Sequence, residues 1–462
     1  MANHNIPELV KRFEEMLAQN ASIYFDADEF EEIAFHYEMD ENYHLAYETV
    51  CIGLQIHPGN VELQIKKALY LLCIENKTDA LELIETLPVN SIQDLLIKAD
   101  IFIANEKEAD AITIINGIIE SSKPDFTLYL DIADVFANND SFEEAISYIK
   151  QGLDIFPNQP DLMRELAFTY GDSEQFDEMV ATLNRLLDIN PYEIADWISL
   201  IRAYGSMSQL DKAIEACDFA LAIEDKNEEV KMMRAVCLYE NGNIEAASIA
   251  FEECVSFSNT NTAFLLVVIQ CFIELKRFDK GLKVAERIVE LDPTNADGFY
   301  QKAICYIGMK ELEPSYEAIC TAIDMDPTNP DFLVVKANLL TEKNEYQEGK
   351  EILMRILATE PDFYKVYFPL AFIYEQEGEY EYALVYFRKS FDSNPLDIVS
   401  LLKMVKMFYL TGDFQSTVYY KLLLDKTILE NSNSEILTNE YLNSEYLLTD
   451  QYISSINKGL NN

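Results

Sequence analysis

Six prolines of the chain share one register. Pro157, Pro191, Pro293, Pro327, Pro361 and Pro395 are separated by 34, 102, 34, 34 and 34 residues, and 102 is three times 34. A fixed internal period of this length confines a chain to stacked copies of one supersecondary unit. Pro58 lies 99 residues before Pro157, three periods less three residues. Placing each such proline at position 32 gives repeats that start at 27, 61, 92, 126, 160, 194, 228, 262, 296, 330, 364 and 398. Only the step from 61 to 92 is short, at 31.

Positions that did not define the frame test it. Position 8 holds Ala34, Ala68, Ala99, Ala133, Ala167, Ile201, Ala235, Ile269, Ala303, Ala337, Ala371 and Val405. Nine alanines in twelve exclude chance. Position 20 is mostly small, as at Ala46, Ala80, Ala111, Ala145, Ala213, Ala247, Gly281, Ser315, Gly349 and Ala383. Position 11 is always large, as at Tyr37, Phe102, Tyr170, Phe272 and Tyr374.

This pattern describes a helical hairpin. Apolar residues recur at three- and four-residue steps, for example Trp197, Leu200, Ile201 and Tyr204. Two helices approach closely only where one side is small, so alanine at positions 8 and 20 admits the large residue at 11. Glycines such as Gly378 and Gly412 suit the turn between helices, and proline at position 32 closes the second helix. Pro314 falls in a first turn, where a missing N–H is harmless. Pro369 falls inside a first helix and is expected to kink or delay it.

The small-large-small scheme resembles the tetratricopeptide repeat family, whose motif runs W-x2-L-G-x2-Y, then A-x3-F, then P. Trp197, Leu200, Tyr204, Ala213 and Ala220 carry it in one repeat; Ala371, Tyr374, Ala383, Phe387 and Pro395 carry it in another. The resemblance covers residues 27–431 and departs from the pattern at Ile201, Ile269, Val405, Met179 and Thr417. It implies an all-α fold, an α-solenoid of antiparallel helix pairs wound into a right-handed superhelix. Residues 1–26 are expected to supply an N-terminal capping helix, and 432–462 C-terminal capping helices or a tail. A length of 462 residues would otherwise suggest about three globular domains.

In this family the first helices line a concave groove, mostly through positions 2, 5, 9 and 12. From the seventh repeat onward these include Met232, Val236, Tyr239, Leu266, Ile273, Tyr300, Ile304, Ile307, Phe368, Phe372, Leu402 and Tyr409. An apolar run along a concavity suits an extended peptide or amphipathic helix from another protein. Two alternatives stand beside it: these side chains pack on neighbouring first helices, or residues 433–462 fold back over them. A carboxylate clamp of the kind some relatives use is incomplete. Asn338 and Lys365 are suitably placed, but Val334 and Pro369 stand where a lysine and an arginine are needed. Arg164 and Arg202 are the other basic groove positions.

Charge narrows the partners. The chain has 81 Asp+Glu against 35 Lys+Arg, a formal net charge of −46, so counterion release from nucleic acid is not expected. With 49% hydrophobic and 12% aromatic residues it is no disordered acidic tail. Between Arg12 and Lys66 there is no Lys or Arg, while twelve Asp or Glu fall there. That stretch either attracts a basic partner or simply solubilises the array.

No catalytic chemistry is evident, and no cofactor or metal site is expected. The four histidines, His4, His36, His44 and His57, form no ligand spacing, and no G-x-S-x-G, Walker A or GxGxxG motif occurs. Cys237, Cys271 and Cys305 recur at position 10, a small slot where cysteine acts as a hydrophobe. The segment MANHNIPELVKRFEEML lacks the features of a secretory signal, and the apolar stretch Ala263–Ile273 is short and broken by Gln270. The expectation is a non-enzymatic, cytoplasmic scaffold or adaptor that binds proteins without membrane insertion. A regulatory or substrate-docking subunit of a multi-protein enzyme or secretion complex is the alternative.

Overall fold

The computed structural model describes residues 6–19, 24–257, 261–395, 397–430 and 440–460. Among the described residues all regular structure is helical. First helices begin at Ala27, Val61, Ile92, Phe126, Pro160, Ile194, Glu228, Thr262, Ala296, Pro330, Tyr367 and Ile398, each followed by an antiparallel second helix. The fold is an all-α solenoid. It divides into two compact units, Met1–Asn241 and Gly242–Asn462, with the boundary inside the turn of the seventh repeat.

Local chemistry sets the helix limits. The residue before a first helix is commonly Asn, Ser or Asp, and its side chain accepts a backbone N–H of the first turn. Asn60 takes Leu63 N–H at 2.7 Å, Asn261 takes Phe264 N–H at 2.8 Å and Asn295 takes Gly298 N–H at 2.9 Å. The turn within each repeat is also built one way. Position 15 lies in the left-handed region in every repeat, at Gly242, Gly378 and Gly412 but also at Glu41, Glu75, Glu106, Asp140, Glu174, Ser208, Lys276, Lys310 and Asn344. The N–H of position 16 then donates back to the carbonyl of position 11, as from Asn76 to Leu71 at 2.9 Å and from Glu379 to Tyr374 at 2.9 Å. This is the six-to-one bond of a Schellman cap.

Packing follows the small-large scheme. The position-8 residues are all buried, including the larger Ile201, Ile269 and Val405. At position 20 the helices approach so closely that Ser315 Oγ donates to the Ala303 carbonyl at 2.9 Å. A Cβ on Gly349 would meet the Ala337 carbonyl oxygen at 3.1 Å, and one on Gly281 would meet Cys305 Sγ at 2.9 Å. Cysteine at position 10 therefore fills a packing slot, and among the described residues no His, Cys, Asp or Glu group is arranged to hold a metal ion.

Pro369 delays its helix as its chemistry requires. A 3-10 turn spans Tyr364–Val366, and the α-helix runs Tyr367–Glu377 with Pro369 as its third residue. There the missing N–H removes no intrahelical bond.

The ends of the chain differ from the repeats. In the first unit, Ile6–Gln19 buries Leu9, Val10, Phe13 and Met16, and Phe13 sits edge-on to Phe25 and Phe30 at 5.9 and 6.0 Å. In the second unit, Glu440–Leu460 packs on Ile398–Leu410 and Phe414–Glu430. Residues 433–439, which the sequence pattern includes in the C-terminal helices, lie outside the described residues.

Candidate functional site

Each unit carries a cleft formed largely by first helices, and the two differ in chemistry. In the second unit a cleft of about 650 Å³ is lined by Ile307, Lys310, Leu312, Asn338, Leu339, Thr341, Glu342, Phe368, Pro369 and Phe372. Its walls are successive first helices, because positions 9 and 12 of one repeat face positions 5 and 9 of the next. Phe368 is steadied edge-on against buried Phe387 at 5.5 Å, which fixes the ring that forms one wall. Phe372 has the Lys403 ammonium 5.8 Å from its ring.

Of the twelve expected groove residues, this cleft brings together Ile307, Phe368 and Phe372. Tyr300 and Ile304 are half-buried on the Ala303–Phe332 core, with the Tyr300 ring 5.2 Å from Phe332. They pack on the neighbouring first helix. Leu266 and Ile273 are half-buried and line no described cleft, as are Met232, Val236 and Tyr239 in the first unit.

The last repeat is covered. Leu402 is only 1% exposed, within a core that includes Leu401, Val405, Leu424 and Leu442, so it presents no surface to a partner. Tyr409 stacks on Tyr452 at 4.2 Å. Lys403 and Lys406 join Glu375 to Glu445 of the terminal helix, with N–O distances from 2.7 to 3.4 Å. Burial pushes the Glu445 carboxyl up, but the two ammonium groups outweigh it and hold it below its usual range. Helix Glu440–Leu460 thus closes over positions 5, 9 and 12 of the last repeat and leaves the Phe368–Phe372 cleft open. Behind it lies an apolar cavity of about 820 Å³ between Tyr409, Phe414, Val418, Leu422 and Ile456.

The basic groove positions are already engaged. Lys365 pairs with Asp331 at 2.6 Å, Arg164 with the buried Asp196 at 2.8 Å and Arg202 with Glu229 at 2.7 Å. With Val334 buried and Pro369 on the cleft wall, no carboxylate clamp assembles.

Sequence reasoning overlooked the cleft of the first unit, about 750 Å³ across four first helices. Its floor is apolar, from Phe35, Ile65, Leu96, Ile97 and Val135, and its walls are carboxylates: Glu31, Glu38, Glu62, Asp94, Asp100, Asp131 and Asp134. Among the described residues Lys66 is the one cation that lines it, and it faces Glu38 at 3.3 Å. Burial, and then the neighbouring Asp28 and Glu62, raise the Glu31 carboxyl; burial raises Asp100 against the opposing hydrogen bond from Asn139. Burial raises Asp131 and Asp134 too, with Asp125 acting on the first and Asp131 on the second. The signal was available: position 9 of the first five repeats reads Phe35, Leu69, Asp100, Asp134 and Phe168.

Comparison with known proteins agrees with this architecture. Residues 364–395 match the tetratricopeptide repeat model itself. The chain is a tetratricopeptide repeat protein. Within the array, residues 67–205 match the ChAPs family, the Chs5p-Arf1p-binding proteins, and residues 206–286 match anaphase-promoting complex, cyclosome, subunit 3. No curated protein sequence matches the chain.

Among solved structures, a tetratricopeptide repeat protein from Parabacteroides merdae is 15% identical over 55% of this chain and 98% of its own, with a TM-score of 0.48. YrrB, described as a TPR protein with an unusual peptide-binding site, is 17% identical over 40% of this chain and 95% of its own, with a TM-score of 0.36. MamA from Desulfovibrio magneticus is 16% identical over 37% of this chain and 96% of its own, with a TM-score of 0.35.

Proposed function

We propose that the protein is a non-enzymatic scaffold or adaptor that holds a peptide or helix of another protein in the cleft of its second unit. The observation that carries this reading is the open apolar wall of Phe368 and Phe372 beside the exposed amide of Asn338. A ring pair flanking a polar group at helical spacing suits an occupant with an apolar anchor and a free backbone or amide. Tetratricopeptide repeat proteins in general work by binding other proteins, which supports the same reading. No described helix is long and apolar enough to cross a membrane. Together with the acidic surface, this fits a cytoplasmic protein that neither inserts in membranes nor holds nucleic acid.

The test is comparative capture from the native cell. Phe372→Ala is the cleaner substitution, because Phe368 also packs on the buried Phe387. A partner retained by the wild type and lost with Phe372→Ala supports the cleft; equal retention by a folded variant removes it.

A second reading has its own support. The stretches similar to Chs5p-Arf1p-binding proteins and to a subunit of the anaphase-promoting complex favour a fixed component of a larger assembly, one that docks substrate or regulates an enzyme. One stoichiometric partner complex in the capture favours that reading, and several unrelated clients favour the scaffold.

A further inference from the structure

We propose that the cleft of the first unit is a second docking surface, of different chemistry, for an extended Lys/Arg-rich segment of another protein. Its apolar floor is open at Phe35, which is 47% exposed although it lies on a first helix that lines the cleft. The same repeat position four hairpins along is Phe168, 62% exposed. Between these two rings the corresponding positions are Leu69, Asp100 and Asp134. Two aromatic platforms thus bracket a run of carboxylates in one register of one unit. Stacked first helices lie about 8–10 Å apart, so four steps put the rings roughly 30–40 Å apart. An extended segment covers that distance with about ten to twelve residues.

Charge selects the occupant. Glu31, Asp131 and Asp134 have no ion pair among the described residues, whereas Lys66 is committed to Glu38. A cation of an incoming segment would relieve repulsion among carboxylates that burial has already made costly to ionise. Its apolar residues would pack on the exposed rings of Phe35, in the cleft, and Phe168, one repeat beyond its lining; the Lys66 ammonium already sits 6.0 Å from the Phe35 ring, the kind of cation contact such rings favour. An acidic or neutral segment gains neither term. The surface is separate from the Phe368–Phe372 cleft and does not depend on that reading.

The test is fluorescence anisotropy with the full chain and a labelled 14-residue probe of lysine and serine carrying a phenylalanine near each end. The wild type is expected to bind it. Asp100→Asn with Asp134→Asn should raise Kd at least tenfold, and Phe35→Ala at least fivefold. Glu143→Gln with Asp177→Asn changes the net charge equally on second helices and should leave Kd within twofold. Phe372→Ala, in the other unit, should also leave it unchanged. Three results overturn the proposal: no binding by the wild type, equal weakening by the control pair, or equal binding of the probe with glutamate in place of lysine.

Discussion

Replacing Ser208 by glycine should stabilise the protein, although the hydroxyl is lost and nothing is added. Ser208 occupies position 15 of its repeat with φ of 55°. The conformation is held by two turn bonds, from Ser208 N–H to the Gly205 carbonyl at 2.8 Å and from Gln209 N–H to the Tyr204 carbonyl at 2.9 Å. Both use backbone atoms only, so glycine keeps them. A residue with a Cβ costs about 1–2 kcal/mol in this region. Glycine returns about 0.5–1 kcal/mol of that through its freer unfolded chain. Taken at the middle of both ranges, the difference is a gain of roughly 0.75 kcal/mol. With a urea slope near 2 kcal/mol/M, the midpoint should rise by about 0.2–0.5 M. The assay is fluorescence of the single tryptophan: Trp197 lies in the same repeat, stacks on Phe219 at 5.4 Å and donates to the Pro191 carbonyl at 2.9 Å. In a repeat array stability is partly local, so this reporter is well placed. Ser208→Ala keeps the penalty and should leave the midpoint near the wild type. The reasoning is refuted if the glycine variant unfolds no later than the alanine variant.

Three further outcomes are expected. Gly349→Ala should destabilise by about 1–3 kcal/mol by overpacking, since its Cβ meets the Ala337 carbonyl oxygen at 3.1 Å. Gly117→Ala, with open space around it, should instead gain about 1 kcal/mol; calorimetry finding the same sign for both would contradict the close-approach account. Lys403→Met leaves Glu375 and Glu445 with Lys406 alone and should cost about 3 kcal/mol, the low end for a broken buried pair, with proteolysis entering the terminal helix first. Lys403 and Glu375 are 4% and 5% exposed, so adding Glu375→Met should recover most of that loss; a double variant no better than the single would count against a paired network. The two units should also answer pH in opposite directions. Glu445 is depressed in the fold, so its contribution is full above the ordinary glutamate value of 4.5 and disappears as pH falls through the depressed one. Glu31, Asp100, Asp131 and Asp134 are raised, so the folded first unit binds protons first and gains stability as pH falls from neutral through those values. Amide protection factors, with the intrinsic pH dependence of exchange divided out, should rise over Ile92–Ala104 on mild acidification and fall over Glu440–Leu460 below pH 4.5; parallel changes in both helices would defeat this assignment.

The register of the repeats was legible because backbone approach leaves its mark in composition. Ala303 and Ser315 approach closely enough for Ser315 Oγ to bond the Ala303 carbonyl, so most such positions read as small, with Ile201, Ile269, Val405, Met179 and Thr417 as the departures. The uniform left-handed turn was legible only in part. Gly378 and Gly412 announced it, but Glu75 and Lys276 adopt the same φ because two backbone bonds over-determine the turn. Leu402 was misplaced in the groove for a tertiary reason: the helix that buries it has no small-large spacing by which to be recognised as its partner. The boundary at Asn241 was not legible, since the repeat that contains it carries Ala235 and Ala247 like the others.

What a first helix exposes is free to vary because packing does not use it. Positions 8, 11 and 20 are constrained throughout by the approach of helices, whereas positions 5, 9 and 12 are so constrained only in some repeats, as at Leu402 and Tyr300, and line a cleft in others. Hence one hairpin design supports Phe35, Asp100, Asp134 and Phe168 in one unit and Asn338, Phe368 and Phe372 in the other. An apolar search alone finds only the second, because carboxylates on a chain of net charge −46 look like ordinary surface. Their meaning comes from the register. Exposed acids scattered over a convex face repel weakly through water, but Asp131 and Asp134 share a cleft with Asp100 and lose solvent together. Repetition therefore converts an uninformative composition into a surface with a definite electrostatic preference, and the order of residues at one position, not their number, carries it.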